Sequence, residues 1–180
     1  MKAVRIPKER VGAIIGTNGA TKAYLEEKLG LQLEIDTEGE VRIMEESAKD
    51  PLAVLKAMDL VKAIGRGFSP QHAYRLLDDM EYLEIIDMKD YVGSKTEQLT
   101  RQRARVIGSN GKTRRLIEDL TGVSLSIYGS TVGIIGQPEQ VDVARRAVDM
   151  LLRGSEHATV YRYLERSRPK LHIIEMGFEP

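Results

Sequence analysis

Residues 14–35 read IIGTNGATKAYLEEKLGLQLEI and residues 106–127 read VIGSNGKTRRLIEDLTGVSLSI, so one phrase occurs twice in the chain. An offset of 92 residues aligns Gly16 with Gly108 and holds to the end of both stretches. Such self-similarity is the sequence signature of a repeated structural unit. The chain of 180 residues has room for two small domains, and the repeat predicts two domains of one kind.

The repeat continues beyond these stretches. Residues 55–67 (LKAMDLVKAIGRG) match residues 142–154 (DVARRAVDMLLRG) at an offset of 87. The two offsets, 92 and 87, differ by five residues, and the difference falls in the hairpin between the matched segments. A change in the length of a hairpin loop costs little free energy. Both copies are therefore predicted to contain a loop and helix, a hairpin, and a final helix.

The spacing of apolar residues predicts the same element order in both copies. In copy one the predicted elements are a strand at 2–6, a short helix at 9–15, a loop at 16–19, a helix at 21–29 ended by Gly30, a hairpin at 31–43 and a helix at 52–64. In copy two they are a strand at 82–88, a short helix at 99–107, a loop at 108–111, a helix at 112–120, strands at 123–128 and 131–135, and a helix at 138–152. The order β-α-α-β-β-α predicts an α+β fold, in which helices cover a three-stranded antiparallel sheet.

Two segments lie outside the repeated units. Residues 69–79 are predicted to form a linker helix beginning at Ser69-Pro70. Residues 159–166 have helical spacing and predict an extra C-terminal helix. We therefore expect one domain at residues 1–79, including the linker helix, and a second at 80–180, including the C-terminal extension.

Composition excludes several classes of protein. Hydrophobic residues make up 42% of the chain and charged residues 30%, as in a soluble globular protein. No apolar run approaches the roughly 20 residues of a membrane helix, and the N-terminus lacks a secretory apolar region. The absence of cysteine excludes disulfides and thiolate metal sites. These features predict a cytoplasmic protein without a membrane partner.

Charge is balanced overall but unevenly placed. The chain has 27 basic and 27 acidic residues, so the whole molecule is not basic. Residues 97–115 nevertheless hold six basic residues and one acid, whereas residues 34–59 hold eight acids and three bases. The basic cluster coincides with the second loop, which favours an anionic ligand at that loop.

The two loops have the form Gly-x-x-Gly and each opens a helix. Glycines allow backbone angles that other residues resist, and they let a sugar–phosphate backbone approach closely. The N-terminus of the following helix offers unpaired N–H groups and a partial positive charge, which favour phosphate. Ile15 and Ile107 precede the loops and are predicted to flank a narrow apolar groove for bases.

The duplicated string Ile-Gly-x-Asn-Gly, within a duplicated β-α-α-β-β-α order, resembles the KH domain of type I. The resemblance covers nearly the whole chain. It implies that each Gly-x-x-Gly loop clamps about four nucleotides of single-stranded nucleic acid. The low aromatic content of 5% fits a KH groove better than a sheet that stacks bases on aromatic residues.

Longer segments carry a closer resemblance. GFSPQHAYRLLDD (67–79), LEIIDMKDYVG (83–93), the segment from 105 to 136 and VYRYLERSR (160–168) resemble the Partner-of-Nob and Krr family of small-subunit ribosome-assembly factors, in its archaeal form. The resemblance implies binding to single-stranded ribosomal RNA near the small-subunit 3′ end, and therefore a role in ribosome biogenesis and rRNA processing. It also implies two protein partners, the Nob endonuclease that matures that end and the alpha subunit of translation initiation factor two.

Candidate RNA-binding residues follow from the loops and their neighbouring cations. In copy two they are Ile107, Gly108, Ser109, Asn110, Gly111, Lys112, Arg114, Arg115 and Arg103, and in copy one Ile15, Gly16, Thr17, Asn18, Gly19 and Lys22. Arg101 and Arg105 also lie on the short helix of copy two, and base edges are expected along residues 125–128. Copy one has only Lys8, Arg10 and Lys22 near its loop, so copy two is predicted to dominate RNA affinity.

Other interpretations of the sequence are less well supported. Gly111-Lys112-Thr113 lacks the earlier glycine of an NTPase phosphate loop, and the three histidines lack metal-ligand spacing. We interpret the repeated pairs Glu26/Glu27 and Glu118/Asp119 as exposed helix acids, and we predict no enzymatic activity and no cofactor. The main alternative is a protein-interaction scaffold that uses the acidic segments 34–59 and 78–90.

Overall fold

The computed structural model describes residues 1–179. Contacts between Cα atoms divide it into two compact units, unit one up to Leu83 and unit two from Glu84 onward. Each unit contains a three-stranded sheet. The predicted α+β fold with two antiparallel sheets is confirmed.

Unit one has the predicted element order. Its elements are β1 (Lys2–Arg5), α1 (Val11–Ile15), α2 (Ala20–Leu29), β2 (Gln32–Ile35), β3 (Glu40–Met44), α3 (Pro51–Gly65) and α4 (Pro70–Ala73). Strand β3 lies in the middle of the sheet, antiparallel to β1 and β2. The linker helix is shorter than predicted, because α4 passes into a 3₁₀ turn at Tyr74–Leu77.

Unit two repeats this order with two additions. Its elements are β4 (Tyr82–Asp87), which begins two residues before the division but pairs in the second sheet, α5 (Lys89–Val92), α6 (Thr96–Ile107), α7 (Lys112–Thr121), β5 (Ser124–Tyr128), β6 (Thr131–Gly136), α8 (Pro138–Leu152) and α9 (His157–Glu175). Strand β6 lies between β4 and β5. Helices α5 and α9 are the additions, and α6 is a full three turns where α1 has only five residues.

Alternation along the strands separates core from surface in unit one. On β2 and β3 the alternating residues Leu33, Val41 and Ile43 are buried, and α3 buries Leu60 and Ile64 beside them. Each such side chain stabilises the fold by about 1.5–3 kcal/mol when it leaves water. In unit two β6 is buried along its whole length.

Glu26 and Glu118 are not the exposed helix acids that the sequence suggested. Each is only half exposed, and its Oε2 atom accepts a hydrogen bond of 3.1 Å from a backbone N–H at the start of the next strand, from Leu33 and Leu125 respectively. The repeated acid therefore joins the end of a helix to the strand that follows. The neighbours Glu27 and Asp119 are exposed, as expected.

Helix α9 is longer than predicted and continues through Pro169 to Glu175. Leu171, beyond the proline, is buried, and Gln140 Nε2 donates to Glu175 Oε1 at 3.0 Å. These tertiary contacts hold the last turns, whereas the helical period read from the sequence stops before the proline. Residues 167–175, beyond the predicted helix, are thus helical as well.

Hydrogen bonds and a cation–π contact join the inserted helix α5 to α8. Tyr91 donates from its hydroxyl to Asp149 Oδ1 at 2.6 Å, and Arg153 lies over the Tyr91 ring and bonds to the same carboxylate. The hydrogen bond from Tyr91 lowers the pKa of Asp149 below its usual value. Burial, followed by the bond to Asp149, raises the pKa of Tyr91. Both shifts favour the charge states that form the network at neutral pH.

Candidate nucleic-acid interface

The two Gly-x-x-Gly loops have the same backbone conformation. Gly108 has φ 75° and ψ 171°, and Gly16 has φ 75° and ψ 173°. This region of backbone space is essentially restricted to glycine. The third loop residue, Asn18 or Asn110, has φ 53°, a left-handed conformation that asparagine tolerates better than most residues. The string Gly-x-Asn-Gly is therefore the residue pattern that this turn requires.

The first glycine of each loop also packs tightly against the helix that follows. A Cβ atom on Gly108 would lie 2.2 Å from Thr113 Oγ1 and 2.7 Å from the Thr113 backbone nitrogen. The corresponding distances from Gly16 to Thr21 are 2.3 and 2.7 Å. A side chain at either glycine would push the loop away from the helix N-terminus. The close approach keeps the loop and the first helical turn as one rigid element.

The tip of the second loop presents polar groups outward. The backbone N–H of Gly111 donates to Gly108 at 3.1 Å, and that of Lys112 donates to Ser109. Within the described part of the chain, the N–H groups of Ser109 and Asn110 have no such partner, and both residues are exposed. Unpaired N–H groups at the start of a helix form a suitable site for an anion.

Several cations lie on the two helices that flank the second loop. Lys112 and Arg115 are exposed, and the Arg115 Nη1 atom lies 3.4 Å from the point where a Gly111 Cβ would stand. On α6, Arg101 is exposed and Arg103 half exposed. Arg114 Nε lies 3.5 Å from Glu118 Oε1, and such an i,i+4 pair between an exposed cation and a half-exposed carboxylate contributes little to stability.

Arg105 and Arg10 belong to the structure of their units and do not face the loops. Arg105 donates from Nε to the Leu151 carbonyl at 3.1 Å and from Nη2 to the Ser155 carbonyl. In unit one, Arg10 makes the same pair of bonds to Ile64 and Phe68, at 2.8 and 2.9 Å. Each arginine thus satisfies carbonyls at the C-terminal end of a long helix, α3 in unit one and α8 in unit two. Of the three arginines on α6, only one or two were expected to face RNA, and Arg105 is one that does not.

The loop of unit one is poorer in cations than its counterpart. At the offset of 92 residues, the positions of Arg103, Lys112 and Arg115 are occupied by Val11, Ala20 and Ala23. Lys22, at the position of Arg114, is half buried on the first turn of α2. Lys8 lies 3.2 Å from Glu38. The backbone of loop one is equivalent to that of loop two, but its electrostatic environment is different.

The predicted groove residues divide between surface and core. Ile15 and Ile107 are half exposed beside the loops, whereas the residues before them, Ile14 and Val106, are fully buried. On β5 the side chain of Leu125 is buried in the core and cannot reach a base. Ile127, Tyr128 and the strand backbone remain as the part of that segment near the surface.

Sequence reasoning missed a residue that contacts the second loop from α9. The Tyr161 hydroxyl lies 2.7 Å from Thr113 Oγ1, and Lys112 Nζ lies 5.6 Å from the centroid of the Tyr161 ring. The signal was present in the sequence, because the offset of 87 continues past the last repeated helix and aligns Tyr74-Arg75 with Tyr161-Arg162. The repeat unit therefore includes the segment that follows its final helix.

Comparisons with sequence families match both units. Residues 82–169 match a model of the eukaryotic-type KH domain (KH-domain type I), and residues 2–63 match a general KH domain model. Between residues 1 and 179, no helix is both long enough and apolar enough to cross a membrane.

Similar proteins are found in archaea and in yeast. A KH domain-containing protein of Methanocaldococcus jannaschii is 50% identical over 172 residues, covering 95% of this chain and 75% of its own length. The pre-rRNA-processing protein pno1 of Schizosaccharomyces pombe is 33% identical over 173 residues, covering 93% and 70%.

A solved archaeal structure superposes closely. The crystal structure of a complex of a/eIF2alpha, aDim2p and rRNA from Pyrococcus horikoshii OT3 contains a chain that is 49% identical, with a TM-score of 0.87 and 94% of both chains covered. With both KH domains, their order and these relatives in agreement, this chain belongs to the KH-domain protein family that includes Pno1 and archaeal Dim2p.

Proposed function

We propose that this protein is a non-catalytic, single-stranded RNA-binding factor in small-subunit ribosomal RNA processing, and that unit two provides most of its RNA affinity. The observation that carries the proposal is the second loop, where the exposed residues Ser109 and Asn110 have N–H groups without a backbone partner and exposed Lys112 and Arg115 follow on the first turn of α7. A phosphate backbone needs both features, donors at close range and flanking positive charge.

We assign phosphate contacts to the loop backbone and its cations, and base contacts to the apolar residues beside it. The proposed RNA-binding set in unit two is Ile107, Gly108, Ser109, Asn110, Gly111, Lys112, Arg115 and Arg103, with Arg114 in a lesser role because it pairs with Glu118. Loop one, at residues 15–19 with Lys22, would bind a second stretch of RNA more weakly, because three of the cation positions are not conserved between the copies.

The relatives support the choice of RNA and of partners. A relative of 33% identity is a pre-rRNA-processing protein, and one of 49% identity has been solved with rRNA and a/eIF2alpha. We therefore propose small-subunit rRNA near its 3′ end as the ligand, with the Nob endonuclease and the alpha subunit of initiation factor two as protein partners. We also propose that the protein performs this function in the cytoplasm.

We also propose domain limits of 1–79 and 80–180. The division into compact units near residues 83 and 84 supports a boundary close to this point. Starting domain two at residue 80 keeps the whole of β4 (Tyr82–Asp87) with the sheet in which it pairs.

Matched double substitutions in the two loops test this proposal. Ser109→Asp with Asn110→Asp adds two negative charges at the tip of loop two, and both sites are exposed, so the fold is retained. We expect affinity for a single-stranded oligonucleotide from the rRNA 3′ end to fall at least about ten-fold, or about 1.4 kcal/mol. Thr17→Asp with Asn18→Asp is the control in loop one, where we expect a smaller loss. Equal losses, or a larger loss in loop one, would overturn the dominance of unit two.

A second function for unit one follows from its cation-poor loop. A KH unit that keeps the loop backbone but lacks the flanking cations is suited to a protein partner, as in the scaffold alternative. RNA binding that weakens steeply with salt supports the RNA assignment. If the chain binds only protein, and does so independently of salt, the scaffold function replaces it.

A further inference from the structure

The side chain of Tyr161 on α9 contacts the first turn of α7, directly after the second loop. Tyr161 is half exposed and lies beside the first turn of α7, where its hydroxyl is 2.7 Å from Thr113 Oγ1. Thr113 is 1% exposed, and it is the residue against which Gly108 packs. The hydroxyl of Tyr161 therefore bonds to the side chain that fixes the first glycine of the loop.

The ring of Tyr161 has a separate contact with the lysine that follows the loop. Lys112 Nζ lies 5.6 Å from the ring centroid, within the range in which an ammonium group is attracted to an aromatic face. A free lysine side chain loses considerable conformational entropy when a ligand orders it. A lysine already held near the loop loses less on binding phosphate, and so binds more tightly.

His157 holds Tyr161 in place from the previous turn of α9. The two rings meet edge to face with centroids 6.0 Å apart, and His157 Nε2 donates to the Arg105 carbonyl at 3.0 Å. That carbonyl belongs to the helix leading into the loop. The first turns of α9 thus contact the segments on both sides of Gly108–Gly111.

The equivalent tyrosine in unit one, Tyr74, contacts another aromatic ring and not a lysine beside the loop. Tyr74 packs against the Tyr24 ring of α2, with centroids 4.5 Å apart, and the residue at the position of Lys112 is Ala20. Unit one has the repeated tyrosine but no lysine for it to hold. This difference separates a purely structural use of the tyrosine from one that serves the loop.

We propose that Tyr161 is a positioning residue for RNA binding, which holds Lys112 and Thr113 so that the second loop meets phosphate already ordered. The proposal rests on the RNA-binding function proposed above and extends it to α9. It makes the helix that follows the second KH unit part of the RNA-binding element.

Substitutions at Tyr161 separate the two contacts in the full chain. Tyr161→Phe keeps the ring over Lys112 and removes only the hydroxyl, and we expect about a two-fold loss of affinity for the rRNA 3′-end oligonucleotide with an unchanged salt dependence. Tyr161→Met fills similar space without a ring, and we expect a loss of about three- to ten-fold in RNA affinity, equivalent to about one phosphate contact. The slope of log K against log salt should become shallower by about 0.7. Tyr163→Phe on the same helix and Tyr74→Met in unit one are the controls, and neither should change affinity.

A coupling measurement identifies Lys112 as the residue through which Tyr161 acts. If the ring of Tyr161 works by holding Lys112, then Lys112→Ala combined with Tyr161→Met should lose at most about two-fold more affinity than Lys112→Ala alone, which is the part due to the hydroxyl. If the affinity losses of the two single variants add in full, the proposal is overturned. It is also overturned if Tyr161→Met lowers thermal stability but leaves RNA affinity and its salt dependence at the wild-type values.

A measurement on the wild-type chain does not depend on any variant folding. The side-chain methylene protons of Lys112 should show an upfield ring-current shift in the NMR spectrum, both free and with RNA bound, and its absence would overturn the proposal.

The loop variants Ser109→Asp and Asn110→Asp distinguish a failure of the Tyr161 role from a failure of the proposed RNA-binding function. If they abolish RNA binding while Tyr161→Met leaves it intact, only the role of Tyr161 is lost. If wild-type protein does not bind the RNA, the proposed function fails and the positioning role with it.

Discussion

At the scale of single residues, the loop is determined by what glycine and asparagine allow. Three of the four loop positions in unit two have positive φ, and Gly108 lies in a region open only to glycine. The remaining position is the second in the loop, and it is where the two copies differ, with Ser109 in unit two and Thr17 in unit one. The sequence pattern thus predicts the turn itself. It cannot predict that Gly108 packs within van der Waals distance of Thr113, because that contact depends on the angle at which α7 leaves the loop.

Gly108→Ala tests this close contact. The substitution combines a strained backbone with an overlap of Cβ and Thr113, so we expect unit two to lose about 3 kcal/mol of stability. Gly154→Ala is the matched control, because Gly154 also has positive φ but a Cβ there meets nothing within 4 Å. It should cost only about 1 kcal/mol. Thermal unfolding of both variants gives the comparison, and equal losses would show that the overlap with Thr113 is relieved at no cost.

At the scale of elements, sequence periodicity located the helices and strands but not the roles of their charged residues. Arg101, Arg103 and Arg105 share one short stretch of α6, and the sequence predicts that only one or two of them face RNA without establishing which. The structure separates Arg105 from Arg103, because the Arg105 guanidinium turns to the end of α8, and Arg101 lines the same cavity as Arg105. The same is true of Glu118, whose bond to β5 joins residues seven apart. Only the packing of one element on another distinguishes such residues.

Paired substitutions on α6 test that separation. Arg105→Gln leaves the carbonyls of Leu151 and Ser155 without their donor, and we expect a loss of about 1–3 kcal/mol in the free energy of unfolding with RNA affinity unchanged. Arg103→Gln should leave stability within about 0.5 kcal/mol of wild type. It should instead lower RNA affinity and reduce the salt slope by about 0.7. Chemical denaturation and RNA titration measure the two effects, and an RNA defect in Arg105→Gln at full folding would return it to the binding surface.

At the scale of the whole molecule, the repeat predicted two domains but not their inequality. The two units share a fold, a loop backbone and a tyrosine after the last helix, and both match KH models. They differ in what surrounds the loop, since α9 extends over α7 in unit two and the loop cations occur there. Composition gave part of this difference as a local excess of basic residues. The contribution of α9 needed the structure, because a helix distant in sequence supplies the contact.

Net charge does not describe how such a molecule meets RNA. The chain is neutral overall, with 27 basic and 27 acidic residues. At physiological ionic strength, however, charges act over only about 8 Å. The charge that matters is therefore the set of cations within that distance of bound phosphate.

The salt dependence of binding measures that local set. If Lys112, Arg115 and Arg103 supply the contacts, with Arg114 in its lesser role, about three to four phosphates are neutralised, and log K should fall with log salt at a slope of about −2 to −3. The loop-one variant Thr17→Asp with Asn18→Asp should keep this slope, because the cations of unit two are untouched. A slope near zero would mean that RNA is held without these cations. A slope steeper than about −5 would require a second basic surface of similar size, and since loop one lacks three of the cations of loop two, that surface would have to lie outside both loops.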